Sequence, residues 1–468
     1  MTAVSGNGHR SHVLAVPLPA QGHVKPLMSL CRQIAKHGIK VTFVNAQSIH
    51  HKILSAAAAE EEDDDCGGNV VMATVPDGLS PEHDPNNPFM LFETLQKTMP
   101  QTLPELIERI NSDNPNEKVT CLIADLSFSW IFDIADKMGL EPVGFSPPSV
   151  ACLAMAFHAL KMLERGDLDT NGSLKNGDVI SLSDDTPAWR NEELPWRFPD
   201  NPKMEKVVIE AIQVYRKASK AKWWLCNSCY ELEPAANELL PNALPIGPLN
   251  LLDSITDGSD SRSTNFYPEH SSCLSWLDSK PDGSVVYVSF GSSAVFSQKQ
   301  LDELALGLEL SGRAFLWVVR PDLVNGSCIA YPDGFLDRVS GLGKIVEWAP
   351  QNRVLAHPSI GCFMSHCGWN STMEGASRGV PFLCWPYMSD QLHNERYICD
   401  KWEIGLKITF DEGGIKSRYE IKKKIETLFS DNKFKENALK LKEMCGKSVS
   451  IGGSSCKNMK KFIDHLRG

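Results

Sequence analysis

Apolar positions along this chain follow two alternating patterns. Short runs rich in β-branched and aromatic residues are separated by longer stretches in which apolar residues recur every three to four positions. That alternation predicts βαβ units and a parallel sheet. In the first part of the chain, residues 12–16, 39–44, 70–75, 119–124 and 142–145 read as strands. Residues 24–36 read as a helix, with Pro26 in its first turn and Gly38 just past its end.

From residue 166 to about 202 no period is clear, and Pro, Trp, Asn and Asp dominate. Residues 253–268 are rich in Ser, Asp and Thr, the composition of a linker. The alternation then resumes, with strands expected at 285–290, 314–319, 345–348, 361–365 and 381–385. Ser297 and Gln300 have capping-box spacing, Leu301, Leu304, Ala305 and Leu308 form one helical face, and Gly312 closes that helix. From residue 417 onward the pattern is mostly helical.

The expected fold is therefore α/β: two facing, doubly wound, Rossmann-like domains. Residues 1–252 form one and 269–468 the other, joined by 253–268. The last helix is expected to pack back on the first domain. Such sheets bind ligands at the carboxyl ends of their strands, so the two domains enclose a cleft. The length of 468 residues agrees, since single cores seldom exceed about 250–300 residues.

Charge narrows the function. A formal net charge of −11 argues against a nucleic-acid partner. The run Glu60, Glu61, Glu62, Asp63, Asp64 and Asp65 reads as a solvated loop. No apolar run is long enough to span a bilayer, and residues 1–10 lack an apolar signal core, so a cytoplasmic protein without membrane insertion is expected. The 14 cysteines are scattered among apolar neighbours and read as core thiols. Cys226 and Cys229 form a CxxC without a second pair at zinc spacing, so packing is favoured over metal binding.

The densest candidate chemistry lies in residues 348–391. A buried strand, 361–365, runs through His366, Cys367 and Gly368 into a helix. Gly368 would let a ligand approach the backbone. The helix N-terminus offers unpaired N–H groups to an anion, with His366, Asn370 and Ser371 as further donors. Glu374, one turn on, could accept from ribose hydroxyls. On these residues alone, a capped helix after a tight turn fits equally well.

A longer pattern weighs on that choice. Trp348-Ala349-Pro350-Gln351, His357-Pro358, Gly361-Cys362-Phe363, the run from His366 through Thr372, Glu374, Gly379-Val380-Pro381 and Asp390-Gln391 together resemble the secondary-product box of plant family 1 UDP-dependent glycosyltransferases. The stretch Pro19 to His23, Asp125, Asn227 with Tyr230 to Glu233, and Ser289 to Ser292 also fit. The resemblance implies a GT-B type fold, UDP-glucose as co-substrate, a small-molecule acceptor, and no metal or other cofactor. It implies that Trp348 stacks on uracil, with Ala349 and Gln351 completing the base and ribose contacts. His366, Asn370, Ser371 and Ser292 would hold the diphosphate, and Glu374 the ribose. Trp369, Asp390 and Gln391 would hold the sugar, the terminal Gln being associated with glucose. Gly22, Ser146 and Tyr387 complete the candidate donor-site set. By themselves Trp348 would pass for a core aromatic, and Asp390 for a helix N-cap. His357 reads as structural.

Sugar transfer to a hydroxyl needs a base. His23 stands after the first strand at the start of a helix, whose terminus disfavours imidazolium and should keep the ring neutral. Asp125 ends another strand, and neighbouring parallel strands bring such ends together, so it could orient the ring. The resemblance assigns catalysis to this pair and implies inversion, giving a β-glucoside. The competing readings are a non-catalytic UDP-sugar binder and transfer to carbon or nitrogen. A dehydrogenase or serine hydrolase would want G-x-G-x-x-G after the first strand or G-x-S-x-G, neither of which occurs. The acceptor, phenolic, terpenoid or hormone-like, would meet residues 84–92, 145–153 and 186–198, which are apolar and aromatic.

Overall fold

The computed structural model describes residues 11–59, 69–80, 83, 88–169, 172–197, 205, 209, 212–256, 266–270, 272–292, 294–324 and 329–468. The acidic run and residues 1–10 lie outside them. The strands are β1 (His12–Val16), β2 (Lys40–Ala46), β3 (Val70–Val75), β4 (Cys121–Asp125), β5 (Glu141–Ser146), β6 (Val179–Ile180), β7 (Trp189–Arg190), β8 (Trp223–Cys226) and β9 (Ala243–Pro245). They continue with β10 (Val285–Ser289), β11 (Phe315–Val318), β12 (Gly343–Val346), β13 (Ile360–Ser365), β14 (Phe382–Cys384) and β15 (Gly405–Lys407).

Among the described residues these build two parallel sheets, β3-β2-β1-β4-β5-β8-β9 and β12-β11-β10-β13-β14-β15. The central strands read apolar throughout because both faces are covered. Every residue of β1, β4 and β10 is buried. One apolar core surrounds the first sheet, and two cover the faces of the second. The strand order reverses between β1 and β4 in one sheet and between β10 and β13 in the other. At such a point adjacent connections depart to opposite faces and leave a crevice at the carboxyl ends.

Some boundaries differ from the sequence expectation. The first helix spans Gln21–Lys36, so Pro26 lies beyond its first turn. Its N-cap, Ala20, makes no side-chain cap, which removes the usual start signal. The Ser297 cap is real, its hydroxyl accepting from Gln300 N at 3.2 Å. The reciprocal half is absent: the Gln300 amide instead bridges the backbone of Lys416. The supposed linker begins inside a helix, Leu249–Thr256, and residues 257–265 lie outside the described set. The irregular stretch after residue 166 holds the β6–β7 hairpin over a small apolar cluster that includes Trp189 and Trp196.

The last helix, Ser454–Arg467, packs on the first sheet. Met459, Phe462, Ile463 and Leu466 join its core, at about 1.5–3 kcal/mol for each side chain buried. The Phe462 ring meets Trp223 edge-on at 5.6 Å, and Asn458 donates to the Pro245 carbonyl. Cys226 and Cys229 are buried free thiols. Among the described residues no helix is long and apolar enough to cross a membrane.

Candidate active site

Both switch points open on one cavity of about 280 Å³ between the sheets. From the first domain come Gly22, His23 and Lys25 on the helix after β1, with Pro147 and Pro148 after β5. From the second come Gly291 and Ser292 after β10, Trp348, Ala349 and Gln351 after β12, His366, Gly368 to Ser371 and Glu374 after β13, and Asp390 with Gln391.

His23 and Asp125 meet because β1 and β4 are neighbours, Val16 standing opposite Ala124. His23 Nδ1 lies 2.6 Å from Asp125 Oδ2. The other carboxylate oxygen, Oδ1, accepts from Ser127 N at 2.9 Å, which fixes its orientation. Asp125 is 1% exposed and lies behind the cavity wall, whereas His23 is 22% exposed and faces the cavity. Burial opposes the charged ring. The Asp125 carboxylate, by charge and hydrogen bond, and Asp390 nearby outweigh it, so the His23 pKa stands above its ordinary 6.5. This corrects the expectation that the helix terminus keeps the ring neutral: a full charge in contact exceeds the partial charge of a helix end.

The opposing wall is the turn from β13 into the helix Trp369–Arg378. The N-cap is Gly368, and no side chain caps it. The capped-helix alternative is therefore not what forms, and first-turn N–H groups remain for a ligand. Cys367 holds φ +64°, a conformation uncommon outside glycine. Its carbonyl accepts from Thr372 Oγ1 at 3.2 Å and Asn394 Nδ2 at 2.9 Å, which pins the turn. Asn394 also donates to Asp390 at 2.9 Å, linking that carboxylate to the same turn. Asp390 begins a helix but caps nothing with its side chain.

His366 is wedged between two glycines. A Cβ at Gly368 would stand 2.5 Å from His366 Nε2, and one at Gly291 2.6 Å. The space at Gly368, expected to admit a ligand, is thus filled by the imidazole. Burial, with Arg320 adding, pushes the His366 pKa down to about 4. The ring is neutral near pH 7 and so carries a single N–H. Arg320, only 2% exposed, donates to the carbonyls of Gly291 and Ala294 and clamps the loop bearing Ser292.

The remaining donor-site candidates are bound to one another. Gln351 Nε2 donates to Ser371 Oγ at 2.8 Å and to Glu374 Oε2 at 2.6 Å, while Tyr287 donates to its Oε1 at 3.2 Å. Asn370 donates to the Gly22 carbonyl at 2.6 Å, and Asn227 donates to Asn370 at 3.2 Å. The Trp369 indole N–H is taken by the Asn227 carbonyl at 2.8 Å. Gln391 Oε1 accepts from Tyr387 N and Met388 N, leaving its Nε2 as the donor. Trp348 lines the cavity half-buried, its ring 4.8 Å from Tyr267, with Ala349 beside it.

Two candidates lie off the cavity. Ser146 is buried at the end of β5, where its carbonyl accepts from Asn227 N, and the prolines after it take the wall position. Tyr387 is 47% exposed and contributes only its backbone N–H. His357 is tied to Ser359 and Asp278 away from the cavity. In the expected acceptor segments, 84–87 and 198 lie outside the described residues. Trp189 and Trp196 are core side chains, and Trp189 stacks on His393 at 3.5 Å. Sequence reasoning missed Lys25, Tyr287 and Arg320. Lone residues of these types carry no spacing signal, and only the tertiary fold recruits them.

Residues 203–447 match the model of the UDP-glucoronosyl and UDP-glucosyl transferases. Residues 10–171 match a glycosyltransferase N-terminal domain. UDP-glycosyltransferase 83A1 of Arabidopsis thaliana is 40% identical over 465 residues, 98% of this chain and 97% of that protein. The chain belongs to the UDP-glycosyltransferase family. This UDP-glycosyltransferase is also 31% identical to a 7-deoxyloganetin glucosyltransferase of Catharanthus roseus, over 98% of this chain and 97% of that one. Among solved structures, it resembles Os79 of O. sativa in complex with UDP, with TM-score 0.77, 28% identity, and 97% and 100% of the two chains covered. A UDP-glucose: anthocyanidin 3-O-glucosyltransferase in complex with UDP gives TM-score 0.79 at 26% identity, covering 98% and 99%. The fold is GT-B, and the enzyme transfers a glycosyl group from a UDP-sugar.

Proposed function

We propose that this enzyme transfers glucose from UDP-glucose, with inversion, to a hydroxyl of a small and mostly apolar acceptor. The observation that carries the proposal is the 2.6 Å contact of His23 with Asp125, set on the same cavity as the donor-box residues. With Nδ1–H donated to Asp125, His23 presents Nε2 as the base. It takes the hydroxyl proton as the acceptor oxygen bonds to the anomeric carbon. The bond from that carbon to the phosphate oxygen breaks, and UDP leaves with the electron pair. Asp125 stabilises the imidazolium that forms. The uncapped N-terminus of Trp369–Arg378, with neutral His366, supports the leaving diphosphate in this scheme, so no metal is required.

Glucose is favoured by Gln391, whose free amide N–H group suits a sugar hydroxyl, and by the glucosyltransferase names of two relatives. The acceptor approaches past Pro147 and Pro148. The test is incubation with UDP-glucose or UDP-galactose and a panel of phenols and terpenoid alcohols, with the products resolved by mass and anomeric coupling. A β-glucoside formed faster from UDP-glucose is expected. An α-linked product, or donor hydrolysis without transfer, would overturn the reading.

A further inference from the structure

The helices Gln21–Lys36 and Trp369–Arg378 face each other across the cleft in register. On one rung the Gly22 carbonyl accepts from Asn370 at 2.6 Å. One turn further along both helices, Lys25 Nζ lies 2.8 Å from Glu374 Oε1. Lys25 lines the donor cavity and is 39% exposed, while Glu374 is 4% exposed. This ion pair joins the two domains at the carboxylate expected to meet the ribose.

The arrangement poses an electrostatic problem. A nucleoside diphosphate brings negative charge to a cavity that already holds a buried carboxylate. Like charges at close range in a partly dehydrated site repel strongly. Gln351 satisfies the other Glu374 oxygen but carries no charge. Lys25 does carry one. A carboxylate oxygen has two lone pairs, so Oε1 can keep Lys25 and still accept from a ribose hydroxyl. The ion pair therefore need not open for the donor to bind.

We infer that Lys25 is a donor-binding residue of the first domain, which neutralises Glu374 so that carboxylate and diphosphate can share the cavity. The inference rests on the reading of this cavity as the UDP-sugar site. Placed on the same helix as His23, Lys25 also ties donor binding to the domain that carries the base.

The test is calorimetric titration with UDP and with uridine. Lys25→Met should weaken UDP roughly tenfold and uridine much less, since uridine lacks the diphosphate. Lys25→Arg keeps the charge and should stay within about twofold of the wild type. In a Glu374→Gln background the further Lys25→Met change should cost little, because no carboxylate remains to neutralise. Thermal melting of each variant separates a binding loss from misfolding, and retained UDP binding by Lys25→Arg serves even if Lys25→Met folds poorly. Unchanged or tighter UDP binding by Lys25→Met would overturn the inference, the ion pair then being incidental or a competitor. An equal loss in the Glu374→Gln background would also overturn it. Failure of the wild-type chain to bind UDP at all would instead remove the donor-site reading, and the role of Lys25 with it.

Discussion

Replacing Gly368 by alanine tests whether His366 is held by shape. The position has φ −60° and ψ 144°, which alanine adopts without strain. The cost is therefore steric alone. The new Cβ would meet His366 Nε2 at 2.5 Å and Cδ2 and Cε1 at 3.2 Å, so the ring must shift. Overpacking of this kind costs about 1–3 kcal/mol. If the displaced ring is what holds the diphosphate, losing its hydrogen bond to a charged group, about 1.5–3 kcal/mol, should weaken UDP roughly 10- to 150-fold. Gly291→Ala should cost more, because its Cβ meets Nε2 at 2.6 Å and its φ of +68° adds roughly 1–2 kcal/mol for a residue with a side chain. The assay is UDP titration of both variants, alone and combined with His366→Ala. Removing the ring should erase the Gly368→Ala penalty but only part of the Gly291→Ala penalty. A Gly368→Ala loss that persists without the ring would refute the reasoning, since the ligand itself would then occupy that space.

Asp125→Asn removes the largest contribution raising the His23 pKa, so the acid limb of the pH–rate profile should move to lower pH. The wild-type rate should fall as pH drops through the raised value, where His23 protonates. Loss of a charge-assisted bond of about 1.5–3 kcal/mol should also lower kcat by roughly 10- to 150-fold. A limb that stays in place or moves to higher pH would contradict the assignment. Arg320→Met leaves the Gly291 and Ala294 carbonyls without their buried donor, a cost of about 1–3 kcal/mol each, and should lower both Tm and UDP affinity. An unchanged Tm would show that the loop does not depend on the clamp.

Legibility in the sequence followed burial. β1 and β3 were readable to the residue because β-branched and apolar runs mark strands. β8, β9 and β15 were not, being only three or four residues long, too short to show a period. The helix at Gln21 started earlier than expected because Ala20 offers no cap. The box placed most donor-site candidates on one wall, but not how they bind one another. Gln351 is held by Tyr287, 64 positions away. The direction of the His23 shift was misjudged from local structure. A helix terminus is legible in sequence, whereas the contact with Asp125, 102 positions away, outweighs it and is made by sheet order. Lys25 and Glu374 are 349 positions apart, and nothing in either local pattern announces the pair.

The most direct test of the central claim is turnover by His23→Ala, measured with UDP-glucose and the best acceptor from the panel, beside its UDP affinity. A positioned general base contributes about 10²–10⁴-fold to rate. Transfer to hydroxyl acceptors should fall by at least that much, while UDP binds within about twofold of the wild type, since the substitution leaves the donor-box residues and Lys25 in place. Wild-type turnover by the variant would contradict the assignment of His23 as the base.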